Sequence, residues 1–254
     1  MTTPRLIAFD LDDTLAPSKS AIDARIGDLL LDLAARVEVA IISGGQLQQF
    51  QTQVVDRLPA ADAATLDRFH LMPTCGTQYY RLEADGVRTV YAHALTEDEK
   101  SRALAAVQEE AQRLGLWEGE PWGDILEDRG SQITFSALGQ TAPLEAKMAW
   151  DPTGEKKNAL RDAVAARIPD LEVRSGGSTS VDITHRGIDK AYGMRKLAEV
   201  TGIPLDDMLF VGDRLDEHGN DYPVLAMGVT CQAVDGWEHT AEYLTALVPT
   251  LPLR

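Results

Sequence analysis

Residues 6 to 14 read Leu-Ile-Ala-Phe-Asp-Leu-Asp-Asp-Thr, an apolar run set directly against a cluster of carboxylates. The apolar run suits a short buried parallel strand, which leaves Asp10 where that strand quits the sheet. Open α/β sheets bind their ligands at this carboxyl edge. Asp10 and Asp12 share a face if the extended conformation continues, and two carboxylates held that close need a cation or a shared proton. Magnesium, a hard ion that takes oxygen ligands and neutralises phosphate, meets that need. The plainer sense of the same residues is an acidic N-cap, with Asp13 or Thr14 starting a helix.

The following residues extend a βαβ pattern. Ile26, Leu29, Leu30 and Leu33 recur at helical spacing, and residues 37–42 form a second apolar strand. That strand ends in Ser43-Gly44-Gly45, followed by a helical stretch carrying Phe50, Val54 and Leu58. A hydroxyl and several backbone N–H groups at a helix N-terminus favour an anion. Read alone, a Ser N-cap with permissive glycines is the commoner meaning. Residues 69–83 give another strand and a hairpin through Ala84-Asp85-Gly86. A polar helix then spans 96–114, with Thr96 and Glu99 placed as a capping box. Strand-like pieces at 125–127, 132–138, 171–174 and 179–183, with a helix over 155–168, interrupt the parallel pattern and predict an inserted α+β module.

The parallel pattern resumes with a helix over 189–200, strands at 208–211 and 229–234, and a helix over 237–247. Lys190 opens the first of these helices, near the end where an anion docks. Solvent exposure is the alternative for a single lysine there. Leu209-Phe210-Val211-Gly212-Asp213 repeats the opening logic of apolar strand followed by Asp. Asp213 is placed to join Asp10 on one magnesium ion. Asn220 and Asp221, on the returning loop, are expected as supports for that ion or as further oxygen ligands.

Composition narrows the classes of function. With 254 residues the chain has room for one large domain or for a domain with an insertion. A formal charge of −16 argues against broad binding of nucleic acid or of an anionic membrane, so a small anionic substrate needs a local basic pocket. No apolar run approaches the roughly 20 residues of a membrane span, and residues 1–4 show no signal-peptide pattern, so a cytoplasmic location is expected. Cys75 and Cys231 have no metal-binding spacing and read as reduced packing thiols.

Asp10-x-Asp12-x-Thr14 after a short apolar strand resembles the first motif of the haloacid dehalogenase-like superfamily of phosphotransferases. Ser43, Lys190 and Asp213 follow in the order in which that superfamily carries its remaining motifs. The resemblance implies a Rossmann-like α/β parallel-sheet core, residues 1–85 and 187–254, with an inserted α+β cap over residues 86–186. It implies that Asp10 attacks phosphorus and that Asp12 handles the leaving-group proton. It also implies that Ser43, with Gly44, and Lys190 bind phosphate. Asp10, the Asp12 backbone carbonyl and Asp213 then hold magnesium.

Within the superfamily the chain is similar to the large-cap branch, which includes sugar-phosphate phosphatases and eukaryotic-type phosphomannomutases. Arg129 to Gly139, Gly176 to Asp182 and the ten residues from Gly212 to Asp221 carry the likeness to the mutases. By that likeness Arg129, Ser180 and Asp182 hold the distal phosphate or the sugar hydroxyls, and a cap face forms a homodimer. One position departs from the pattern. Gln140 stands where the mutases carry a second phosphate-binding Arg, with Lys147 near a third basic position. A neutral amide cannot give the charged, bidentate grip of a guanidinium. The expected function is therefore a magnesium-dependent hexose-phosphate phosphatase, with a phosphomannomutase-like isomerase as the alternative and a non-catalytic phosphosugar-binding protein disfavoured.

Overall fold

The computed structural model describes residues 3–253, which fall into two compact units, residues up to 92 together with those from 189 onward, and residues 93–188. The first unit begins with β1 (Leu6–Phe9), α1 (Ala24–Ala34), β2 (Glu38–Ile42), α2 (Leu47–Gln53), α3 (Ala63–Leu66), β3 (Phe69–Met72), β4 (Gln78–Glu83) and β5 (Gly86–Ala92). The second holds α4 (Glu97–Arg113), β6 (Leu126–Asp128), β7 (Gln132–Ser136), α5 (Leu144–Trp150), α6 (Glu155–Arg167), β8 (Leu171–Ser175) and β9 (Ser180–His185). The chain returns to the first with α7 (Lys190–Thr201), β10 (Met208–Gly212), α8 (Tyr222–Ala226), β11 (Thr230–Ala233) and α9 (Trp237–Leu247). This is the Rossmann-like core with an inserted α+β module that the sequence predicts.

The core sheet has the order β11-β10-β1-β2-β3-β4-β5. Strands β11 to β3 are parallel, and β4 and β5 are antiparallel. β1 lies at the centre, Leu6 level with Met208 on one side and with Glu38 on the other. All its residues are buried because helices cover both faces. On one face Ile7, Phe9, Val39 and Ile41 pack with Ile26, Leu30 and Leu33 of α1 and with Ala241 and Leu244 of α9. On the other, Leu6, Ala8, Ala40 and Phe210 pack with Met194 and Leu197 of α7. Each large apolar side chain so buried contributes about 1.5–3 kcal/mol. Local signals agree with the packing: Asp23 caps α1 by accepting from the Arg25 N–H, and Asp189 caps α7 by accepting from the Tyr192 N–H.

The insert boundary expected at residue 86 needs correction. β5 continues the hairpin and pairs along its length with β4, so it belongs to the core sheet, and the second unit starts at His93. That unit likewise ends at Ile188, two residues beyond the expected 186.

The second unit is a four-stranded antiparallel sheet, order β6-β7-β9-β8, with α4 and α6 on one face. Ile133 and Phe135 of β7, Val181 and Ile183 of β9, and Leu171 and Val173 of β8 point to those helices. The period of two therefore sends Gln132, Thr134 and Ser136 of β7, and Ser180, Asp182 and Thr184 of β9, to the opposite face. Reciprocal hydrogen bonds between Thr96 and Glu99 start α4 as the sequence predicts. Among the described residues no helix is long and apolar enough to cross a membrane.

Phe135 is fully buried at the centre of this second core. Phe135→Ala should cost about 3–5 kcal/mol. Hydrogen-exchange mass spectrometry should register the loss as faster exchange in β7 and β9, while β1 and β10 keep their protection.

Candidate active site

Three parallel strands, β10, β1 and β2, end side by side, and each delivers a polar residue just past its last apolar position. Asp213 follows β10, Asp10 follows β1 and Ser43 follows β2. Asp10 is only 4% exposed, and its backbone N–H still reaches across to the Val211 carbonyl at 3.0 Å. Lys190, the first residue of α7, is 1% exposed and sets its ammonium between two carboxylates, 2.6 Å from Asp10 Oδ1 and 2.5 Å from Asp221 Oδ1.

Asp10, Asp213 and Asp221 each present one oxygen, and these oxygens lie within 4.8 Å of one another. Asp213 also accepts from the Thr14 hydroxyl at 3.1 Å, and Asp221 Oδ2 accepts from the Arg214 N–H at 3.0 Å. Three carboxylates around one ammonium leave a surplus of negative charge in a buried place. Burial raises Asp10 well above the usual carboxylate range; Lys190 opposes this, while Asp221 and Asp213 add to it. Asp213 is raised as well, by burial and then by Asp221. For Lys190, burial pulls the other way, but Asp10 and Asp221 outweigh it and keep the ammonium charged. An all-oxygen donor set with excess negative charge fits a hard divalent cation.

Asp221 was expected beside Asn220 as a supporting or further ligand, and the structure treats the two differently. Asp221 is completely buried and forms part of the carboxylate cluster, whereas Asn220 is exposed, because successive residues point apart where the loop turns into α8. The chain does not continue as the extended strand that a shared face of Asp10 and Asp12 presumes. Extended structure stops at Phe9, and the Leu15 N–H returns to the Leu11 carbonyl at 2.9 Å, with Asp13 at φ 61°. The Asp12 side chain thus meets other partners: the Lys19 N–H at 2.6 Å on one oxygen and the Gln49 amide at 2.8 Å on the other. Ser43 is buried and accepts the Gly45 N–H at 3.1 Å, so the Ser-Gly-Gly turn closes on itself ahead of α2.

In the second unit the expected residues gather on the polar sheet face in two groups. Asp182 Oδ1 accepts from Thr134 at 2.8 Å and from Gln132 at 3.0 Å; burial raises it, and Arg129 acts against that rise. Arg129 is itself paired with Glu127 at 2.6 Å. Two residues along β9, the Ser180 hydroxyl stands 3.5 Å from that of Ser136, which accepts from the Gln140 amide at 3.0 Å. The Lys147 ammonium donates to the Gln140 backbone carbonyl at 3.2 Å.

Sequence reasoning missed the partners. Thr14 was available from its place in the Asp-x-Asp-x-Thr pattern. Gln49, one of several glutamines in α2, carried no distinguishing signal, and Gln132 and Thr134 are visible only through the register of β7 on β9.

The raised carboxylates generate a pH-dependent prediction. A folded-state carboxyl above its unfolded value of about 3.8 contributes stability that is complete below that value and is lost as pH rises through the raised one. Cation-free protein should therefore lose this contribution toward neutral pH. Added magnesium at about a hundred times its Kd should restore about 2.7 kcal/mol, or roughly 5–10 °C in Tm. Differential scanning calorimetry should show a larger shift at pH 7 than at pH 4, and a much smaller one in Asp213→Asn.

Comparison with known proteins places this geometry. The family model described as eukaryotic phosphomannomutase matches residues 26–249. A phosphomannomutase of Encephalitozoon cuniculi (strain GB-M1) is 25% identical over 226 residues, covering 86% of this chain and 83% of its own length. An IMP-nucleotidase of Plasmodium falciparum superposes with a TM-score of 0.71 at 14% identity, over 97% of this chain and 68% of that one. A haloacid dehalogenase-like hydrolase from Bacteroides thetaiotaomicron gives 0.63 at 15% identity, over 96% and 100% of the two chains. At those identities the two structures speak to the fold, and the family match speaks to the sequence. The chain belongs to the eukaryotic phosphomannomutase family of the haloacid dehalogenase-like superfamily.

Proposed function

We propose that this chain transfers phosphoryl groups on hexose phosphates through a phosphorylated Asp10, and that it interconverts the 1- and 6-phosphates as a phosphomannomutase. The curated relatives carry that name and support the alternative over the phosphatase expectation. Among the residues, the observation that carries the reading is Lys147. Its ammonium sits on the Gln140 carbonyl, so a cation stands beside the position where the glutamine itself brings none. With Arg129 it gives the polar sheet face two positive groups for a sugar carrying two phosphates.

The chemistry follows from the core geometry. An Asp10 oxygen forms the new bond to phosphorus as the bond from phosphorus to the sugar oxygen breaks. Asp12 gives that oxygen a proton. In the return direction Asp12, whose two oxygens accept from the Lys19 and Gln49 N–H groups, takes a proton from the attacking hydroxyl. Lys190 holds the Asp10 carboxylate from one side and supplies fixed positive charge, while Ser43 and Gly44 bind the transferring group. Magnesium, for which Asp10, Asp213 and Asp221 provide oxygens, would neutralise charge on the phosphoryl oxygens. Arg129, Ser180 and Asp182 take the far phosphate or the sugar hydroxyls.

A phosphatase remains the second reading on one specific ground, the neutral amide of Gln140, which grips a phosphate less firmly than a guanidinium.

Phosphorus NMR of mannose 1-phosphate with enzyme, magnesium and a hexose 1,6-bisphosphate separates the two. Mannose 6-phosphate should form well ahead of free phosphate, and predominant phosphate release would return the assignment to the phosphatase. Lys147→Ala removes a charge-assisted contact of about 1.5–3 kcal/mol and should shift the ratio toward free phosphate by roughly ten- to a hundredfold. Asp10→Asn should abolish both products in a folded protein, and Asp12→Ala should slow them by about 10² to 10⁴.

A further inference from the structure

Immediately after β3 the backbone enters a conformation that side chains resist. Thr74 has φ 47°, Cys75 φ 55° and Gly76 φ 85°, three consecutive left-handed residues of which only the last is glycine. For β-branched Thr74 this is a true outlier, and such strain persists only where the surroundings over-determine it. The turn is tied down on several sides. Thr74 is fully buried, its hydroxyl 2.5 Å from that of Thr77, which also bonds the Thr74 carbonyl at 3.0 Å. The Tyr91 hydroxyl donates to the Gly76 carbonyl at 2.9 Å.

What the turn grips is the Ser43 loop. The Thr74 N–H donates to the Gly45 carbonyl at 2.9 Å, and the Cys75 N–H donates to the Ser43 carbonyl at 2.9 Å. In a planar trans peptide the N–H opposes the C=O. Drawing the Ser43 and Gly45 carbonyls toward the β3 side therefore turns the Gly44 and Gln46 N–H groups away from it, and the strand on that other side of β2 is β1, which leads into Asp10. The same turn seats on α7, one helical turn beyond Lys190. A Cβ on Gly193 would lie 2.9 Å from the Cys75 carbonyl oxygen, and one on Gly76 would lie 2.6 Å from the Gly193 Cα.

We propose that the left-handed turn Thr74–Cys75–Gly76 is a positioning element, which orients the amides of the Ser43–Gly45 loop toward the transferring phosphate and sets that loop against the helix bearing Lys190. The proposal rests on the phosphate-binding role given above to Ser43 and Gly44, and its residues touch no substrate themselves. The strained residues confine the turn to one conformer, so the loop meets phosphate already ordered.

The test is phosphorus NMR titration with inorganic phosphate and magnesium, alongside KM and kcat for mannose 1-phosphate and a calorimetric Tm. Thr74→Val deletes the hydroxyl link and should weaken phosphate binding about tenfold, the effect of one lost hydrogen bond near the upper end of the usual range. KM should rise in the same proportion, and Thr74→Ser should recover wild-type affinity. Cys75→Gly accepts the positive φ without strain and should keep its Tm, yet it frees the turn and should weaken phosphate binding several-fold. Thr74→Val and Cys75→Gly proteins that bind phosphate as wild type does would overturn the proposal and leave the turn a packing feature; if Thr74→Val does not fold, Cys75→Gly decides. Absence of phosphate binding in the wild type would instead overturn the phosphate-loop reading, and this proposal with it.

Discussion

The buried ammonium of Lys190 between Asp10 and Asp221 is the contact on which the rest of the site depends. Burying one carboxylate at the edge of a parallel sheet is costly, and crowding two buried carboxylates and a half-buried one together is untenable without positive charge nearby. The fold answers by beginning α7 at the carboxyl edge of β1 and β10, so that the lysine enters at the first helical residue and needs no long reach. The charge remaining beyond that one ammonium is what makes the cluster receptive to a divalent cation.

The second unit solves a different problem with simpler means. Its sheet separates an apolar face, packed on α4 and α6, from a face bearing hydroxyls, an amide and a carboxylate. Strand alternation alone places Ser180 and Asp182 on that face, without any special loop. Lys147 approaches from α5, a helix that fully buries none of its residues and meets the core through Trp150.

Most of this was legible in the sequence where an apolar strand ran into a polar residue. Asp10, Ser43 and Asp213 stand past their strands as expected, because period and strand length are local properties. The misassignments arose where tertiary context decides. Of the two loop residues that the sequence weighs alike, Asp221 joins the carboxylate cluster and Asn220 stays exposed, because the entry into α8 rotates successive side chains apart. β5 looked like the start of an insertion since its polar composition suits an exposed edge, and only its pairing with β4 assigns it to the core. The partners Gln49, Gln132 and Thr134 are ordinary polar residues in sequence, given meaning by register alone.

The central strand also has a consequence for how the chain is made. β1 leaves the ribosome well before one of its two neighbours, β10, which begins at Met208. Through the synthesis of everything between them, one flank of an entirely apolar strand lacks its partner, and until α7 emerges the acidic residue at its tip lacks its lysine. Unpaired strand edges invite pairing with other chains. The inserted second unit lengthens that interval, so its size weighs on the nascent chain as well as on the finished enzyme.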